Sequence, residues 1–454
     1  VTPPPSVASP TAALERPAPP TFAEALGYWL KLGFISFGGP AGQIALMHQE
    51  LVERRRWISE GRFLHALNYC MVLPGPEAQQ LATYIGWLMH RTWGGLAAGG
   101  LFVLPSLAIL IALAWIYMAY GDVPAIAALL YGVKPAVVAI VAFAAYRIGG
   151  RTLRNRWLWA IAIAAFVAMF AARLPFPLVI LAAGVIGVVG ARLAPAASAA
   201  TGGHAATAST AAPAWLDDAS PTPNHARFSW RRCLRVAAVC LGLWAAALAA
   251  LASTFGASAV LTQMAVFFTQ AALLTFGGAY AVLPYVFQGA VEGHHWLTAT
   301  QMIDGLALGE TTPGPLIMVV AFVGFVGAWS AEVFGPGSAL ASGVAGAVVV
   351  TFFTFLPSFF FIFIGAPFIE STHGDLRFTA PLTAITAAVV GVIVNLAVFF
   401  AMHVLWPHGV PLERVDWPAA AIGVLALFAL VRLRVGVIPV ITVSAILGLV
   451  LRLA

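Results

Sequence analysis

A chain of 454 residues with 61% hydrophobic and 9% charged residues falls far outside the range of soluble domains, where about a quarter of residues carry charge. Its formal charge of +6 is small, and the arginines stand in loops beside apolar runs, which fits positive-inside topology and excludes a nucleic-acid-binding face. The runs are continuous rather than alternating, so a β-barrel is excluded as well, and the expectation is an all-α polytopic membrane protein embedded in a lipid bilayer.

Residues 1–20 are rich in Pro and Ala, with no basic segment ahead of an apolar core, and read as a disordered tail rather than a signal peptide. Residues 22–37 and 63–73 are apolar but too short to span comfortably, and each runs into a Gly or Pro cluster. They predict half-helices or re-entrant hairpins, with new helices opening at Ala41 and Glu77. The runs at 95–120, 336–366, 380–402 and 436–453 can each cross a hydrocarbon core of about 30 Å, and shorter ones lie at 157–172, 176–192, 233–253 and 416–431. A stretch of Ala, Ser, Thr, Gly and Pro at 194–228 predicts a flexible linker. The expected organisation is a tail (1–20), an N-terminal membrane repeat (21–192), a linker (193–230) and a C-terminal membrane repeat (231–454) that begins with one extra helix.

The two repeats declare themselves by motif. Phe37-Gly38-Gly39, Trp57 and Pro74-Gly75-Pro76 recur as Phe276-Gly277-Gly278, Trp296 and Pro313-Gly314-Pro315, always displaced by 239 residues, with 11 identities in 40 ungapped positions. Between these motifs the first copy carries Arg54, Arg55, Arg56 and Arg62, whereas the second has no Lys or Arg. The two loops are therefore expected on opposite sides of the membrane, and the extra helix at 233–253 supplies the crossing that inverts the second copy. The fold expected is two inverted repeats with broken or re-entrant helices, an arrangement in which substrate sites form at the repeat interface.

Broken helices in lipid survive where they are buried in protein or line a cavity, and their N-termini offer free N–H donors and a positive dipole end to an anion. This makes Gly38, Gly39, Pro40, Pro74, Gly75, Pro76, Gly277, Gly278, Pro313, Gly314 and Pro315 candidate substrate-binding positions. Close helix packing by small residues is the competing reading for any one of them. An ionisable residue at mid-membrane costs about 3 kcal/mol or more, which singles out Lys31, Glu77, Lys134 and Glu310. Lys31 is the candidate counter-charge for an anion, although it and Lys134 could also snorkel to an interface, and Glu77 and Glu310 are the proton-coupling candidates. Glu53 and Glu292 match across the copies but read as surface residues. Cys70, Cys233 and Cys240 read as small apolar residues, His48, His65 and His90 lack metal-ligand spacing, and no phosphate loop occurs, so no cofactor or metal is expected.

The sequence from Ser36 to Gly95, with its FGG, basic loop ending in Trp-Ile, and PGP, together with its echo from Thr275 to Trp329 and the later Leu104-Pro105-Ser106 and Leu356-Pro357-Ser358, resembles the two halves of long-chain chromate ion transporters. The resemblance covers the chain apart from tail and linker. It implies a secondary transporter, not an enzyme, that exports chromate across the bacterial inner membrane on the proton-motive force and confers chromate resistance. A carrier of sulfate or another oxyanion is the alternative, and an integral membrane enzyme a remote one, since the loops offer no paired nucleophile and base. Oligomeric state is left open, a homodimer included.

Overall fold

The computed structural model describes residues 16–37, 39–193, 213–217, 220, 223–276, 278–372, 379–406 and 415–453. Two of the expected binding glycines, Gly38 and Gly277, lie outside the described residues, as does the 1–15 part of the tail. Among the described residues the fold is all-helical, with one isolated bridge between Ile58 and Leu216.

The first half contributes α1 (Phe22–Ile35), α2 (Gly39–His48), α3 (Glu60–Val72), α4 (Glu77–Tyr120), α5 (Pro124–Thr152), α6 (Arg156–Phe170) and α7 (Phe176–Leu193). After the linker come α8 (Trp230–Phe255), α9 (Val260–Leu274), α10 (Ala279–Phe287), α11 (Ala299–Thr311) and α12 (Val319–Ala331). The chain ends with α13 (Ala339–Thr372), α14 (Thr379–Leu405), α15 (Trp417–Val431) and α16 (Val437–Leu453). Among the described residues five helices (α4, α5, α8, α13 and α14) are long and apolar enough to cross a membrane, and the protein is a multi-pass membrane protein. The apolar run at 233–253 lies within α8.

Local chemistry fixes the short helices. Ser59 and Thr298 accept the backbone N–H of Arg62 and Gln301, capping α3 and α11, and Asn155 and Asp416 cap α6 and α15 in the same way. Ahead of α3 and α11 the chain makes a turn of π-helix, Gln49–Arg54 and Gln288–Gly293, then turns left-handed at Arg56 (φ 51°) and His295 (φ 54°). Thr298 stands 239 residues after Ser59, and His295 239 after Arg56, so the backbone events keep the displacement of the motifs. Helix α4 is two segments folded back on each other, because His90 and Arg91 (φ 57°) leave helical geometry and part residues 77–89 from 92–120. The two run close enough that a Cβ on Gly86 would stand 2.5 Å from Ala98 Cβ and one on Gly99 would strike Thr83 Oγ1.

The halves interlock. Helix α5 of the first half packs on α15 and α16 of the second, and α14 of the second packs on α6 and α7 of the first. These contacts are close because the meeting residues are small: a Cβ on Gly132 of α5 would strike the backbone of Ser444 and Gly448 in α16, and one on Gly391 of α14 would strike the carbonyl of Ala162 in α6. Between these crossings, α4 lies against both α12 and α13.

The described part of the expected linker is not free chain. The Trp215 and Leu216 N–H groups donate to the Arg56 and Trp57 carbonyls at 2.9 and 3.1 Å, and Ser59 N–H donates to the Leu216 carbonyl at 2.9 Å. Leu216 is buried there, and Asp217 pairs with Arg16 at 3.6 Å. The composition of 194–228 gave no sign of this, because the docking rests on backbone groups left unpaired at the turn after the first π-helix.

Candidate functional site

Each PGP turn is held by the opposite half. Gly75 N–H donates to the Thr275 carbonyl at 2.8 Å, and Gly314 N–H donates to the Ser36 carbonyl at 2.8 Å. Ser36 and Thr275 are the residues just before the two FGG motifs, so the PGP of one copy is tied to the FGG break of the other. Gln43 Nε2 adds a bond to the Gly314 carbonyl at 2.6 Å. Both turn glycines need a left-handed backbone, with φ of 124° at Gly75 and 106° at Gly314. A Cβ would stand 2.7 Å from Ser358 Oγ at Gly75 and 2.7 Å from Ser106 Cβ at Gly314, so the Leu-Pro-Ser serines pack reciprocally on the PGP glycines.

Beside this crossing lies a cavity of about 360 Å³. Gly39 and Pro40 open α2 onto it and Gly278 opens α10 onto it, so two helix N-termini converge there. Gly278 has no side-chain cap on the helix it begins, which leaves first-turn N–H groups directed to the space. Glu77 at the start of α4, Glu310 near the end of α11 and Arg147 and Arg151 at the end of α5 share the lining. Tyr280 donates its hydroxyl to Glu310 at 2.6 Å, and Glu77 Oε1 stands 4.0 Å from the position of a Cβ on Gly278. Among the described residues no carboxylate lies within ion-pair distance of Arg147 or Arg151. Two dipole ends and two guanidinium groups make the space suited chemically to an anion, and the Glu77 and Glu310 carboxyl groups share its wall.

A second buried group sits behind the cavity, where α4, α5 and α11 meet. Asp304 Oδ2 lies 3.6 Å from Lys134 Nζ and accepts the Tyr117 hydroxyl at 3.0 Å. The Asp304 side chain is 2% exposed, and its Oδ1 has no donor. Among the described residues no group of His, Cys, Asp and Glu could hold a metal ion.

The sequence candidates therefore separate. Gly39, Pro40, Gly278, Glu77 and Glu310 come together as lining of the cavity. Pro74, Gly75, Pro76, Pro313, Gly314 and Pro315 do not line it: they form the crossing beside it, and the Gly75 and Gly314 N–H groups are already spent on carbonyls. Lys31 is exposed on α1 and is not among the residues that line this cavity. Lys134 proves to be an ion-pair partner rather than a snorkelling residue, and Glu53 is the 59% exposed partner of His48. Arg147, Arg151 and Tyr280 were missed. The two arginines read as loop charges marking the cytoplasmic side, but their four-residue spacing on a helix puts them on one face, and that signal was available.

These features define a polytopic helical membrane protein whose helices break around an arginine-bearing cavity. The chain belongs to the chromate transporter family, whose model matches residues 23–188 and 262–449, and so to a transporter family rather than a family of enzymes. It is 28% identical over 440 residues to the chromate transport protein of Cupriavidus metallidurans, covering 95% of this chain and 93% of that one. It is 34% identical over 382 residues to the chromate transport protein of Pseudomonas aeruginosa, covering 83% and 80%. A probable chromate transport protein of Synechococcus elongatus is 29% identical over 403 residues, covering 88% of each. No solved structure gives a significant match.

Proposed function

We propose that the protein exports chromate from the cytoplasm across the bacterial inner membrane, driven by the proton-motive force, and so confers chromate resistance. The observation that carries this reading is the cavity where the N-termini of α2 and α10 meet Arg147 and Arg151. A tetrahedral dianion is matched there by backbone donors from both FGG breaks and by two fixed positive charges. Glu77 and Glu310 are the proton sites.

The halves are read as inverted repeats. The reciprocal bonds from Gly75 to Thr275 and from Gly314 to Ser36 support a two-fold relation, and the arginine asymmetry between the two loops supports an axis in the membrane plane. In that topology the Arg151 end of α5 faces the cytoplasm and the cavity opens inward. A dianion leaving an inside-negative cell gains about 4.6 kcal/mol per 100 mV, so the electrical component alone can drive export.

The test is transport of labelled chromate into inside-out vesicles under an imposed potential, with sulfate as competitor. Potential-dependent accumulation that sulfate does not block is expected. Indifference to chromate would sink the reading, and equal competition by sulfate would reassign the protein as a general oxyanion carrier.

A further inference from the structure

A groove of about 660 Å³ runs along the molecule between α4, α8 and α13, apart from the anion cavity. Its walls are largely apolar, from Gly100 and Leu104 on α4 through Leu243 on α8 to Phe355 on α13, and its charged groups gather at one end, where Arg232 and Arg235 of α8 reach it. From Thr92 to Leu104 the groove follows α4 for about 18 Å, slightly more than the roughly 15 Å of one leaflet's hydrocarbon. The arginine end is also the level of two exposed tryptophans, Trp93 (76%) and Trp230 (67%), the residue type that marks the headgroup boundary. Helix α8 is thinly covered: Cys233 and Cys240 are its buried residues, and its main neighbours are α13 and α9.

The charges at this end are available. Arg232 is steadied by donating to the carbonyls of His225 and Arg227, which accept from one guanidinium nitrogen. Among the described residues no carboxylate lies within ion-pair distance of Arg232 or Arg235. An apolar slot one leaflet deep, capped by two guanidinium groups at headgroup height, matches an amphiphile with an acyl chain and an anionic head. It does not match a second copy of α8, which would bring the same arginines to the same place.

The geometry points to a binding site for one anionic phospholipid, with an acyl chain in the groove and its phosphate on Arg232 and Arg235. Such a lipid fills the space between α8 and the body of the protein, and completes the packing of a helix that the protein alone leaves bare.

The test is native mass spectrometry of the delipidated full chain in detergent, titrated with phosphatidylglycerol and with phosphatidylcholine of the same chain length. One phosphatidylglycerol should be retained in preference to phosphatidylcholine. Arg235→Gln should weaken its retention by roughly fivefold, the share of one surface arginine. Gly100→Phe should abolish retention without lowering lipid-free thermal stability, because a Cβ at Gly100 meets open space and the ring would occupy the groove. Equal binding of the two lipids, displacement of phosphatidylglycerol by inorganic phosphate, or full retention by Gly100→Phe would each overturn the assignment. So would loss of a dimer in place of loss of lipid in that variant.

Discussion

The Lys134–Asp304 pair offers a quantitative check on how the helices behind the cavity are held. At 3.6 Å and an effective dielectric of about 20, the attraction is about 4 to 5 kcal/mol. Lys134 is 27% exposed, which trims that gross figure, and Tyr117 continues to donate to the carboxylate when the lysine is gone. Lys134→Met should therefore cost about 3 kcal/mol, the low end of the range for stranding one partner of a buried pair. Replacing both charges, Lys134→Met with Asp304→Leu, should recover most of the loss, because no uncompensated charge then remains in the apolar surroundings. The assay is thermal unfolding of the purified protein in detergent, run as a double-variant cycle, with the single variant melting several degrees lower. Wild-type stability of Lys134→Met, or a double variant as damaged as the sum of the singles, would refute the reasoning.

Four further outcomes follow from the same geometry. Arg147→Ala together with Arg151→Ala should lower chromate affinity at least tenfold in a transport or binding assay with the protein still inserted, and wild-type affinity would remove both from the site. Glu310→Gln should flatten the pH dependence of transport while Tyr280→Phe changes it less, and an unaltered pH profile in Glu310→Gln would exclude that carboxyl from coupling. Gly39→Ala should reach the membrane at reduced level yet lose transport, since its Cβ meets open space and bears only the strain of φ 75°, about 1–2 kcal/mol, whereas Gly314→Ala should fail to accumulate because it adds to the strain of φ 106° a Cβ 2.7 Å from Ser106 Cβ; equal membrane levels of both would count against the division. Gly132→Leu should prevent α5 and α16 from closing and show as a large loss of folded protein in size-exclusion chromatography, while normal elution would contradict the crossing.

Much of this fold was legible because lipid imposes strict rules. Continuous apolar runs gave the long helices, and Gly and Pro clusters gave the breaks after Ile35, Val72, Leu274 and Thr311. Glu77 and Glu310 could be picked from sequence because a carboxyl in an apolar run needs a reason. The PGP motifs were harder to interpret. Sequence shows that a helix breaks there but not whether its N–H groups remain free, and at Gly75 and Gly314 they are taken by carbonyls more than 190 residues away. Arg147 and Arg151 were hidden for the opposite reason: arginine at a helix end is ordinarily a topology signal, and only the convergence of α2, α10 and α11 on that end of α5 makes it part of a cavity wall. The docking of Trp215 and Leu216 depends on backbone pairing, which composition does not encode.

The interlocking of α5 with α15 and α16, and of α14 with α6 and α7, bears on how such a molecule can move. A seam between the two sequence halves does not exist as a surface along which they could slide, since each half wraps a helix of the other at contacts with no room for a methyl group. Any rigid part that rocks to expose the cavity to one side and then the other must be assembled from both halves at once. The mechanical units of this protein are thus mixed bundles, and the boundary between them runs across the duplication instead of between its copies.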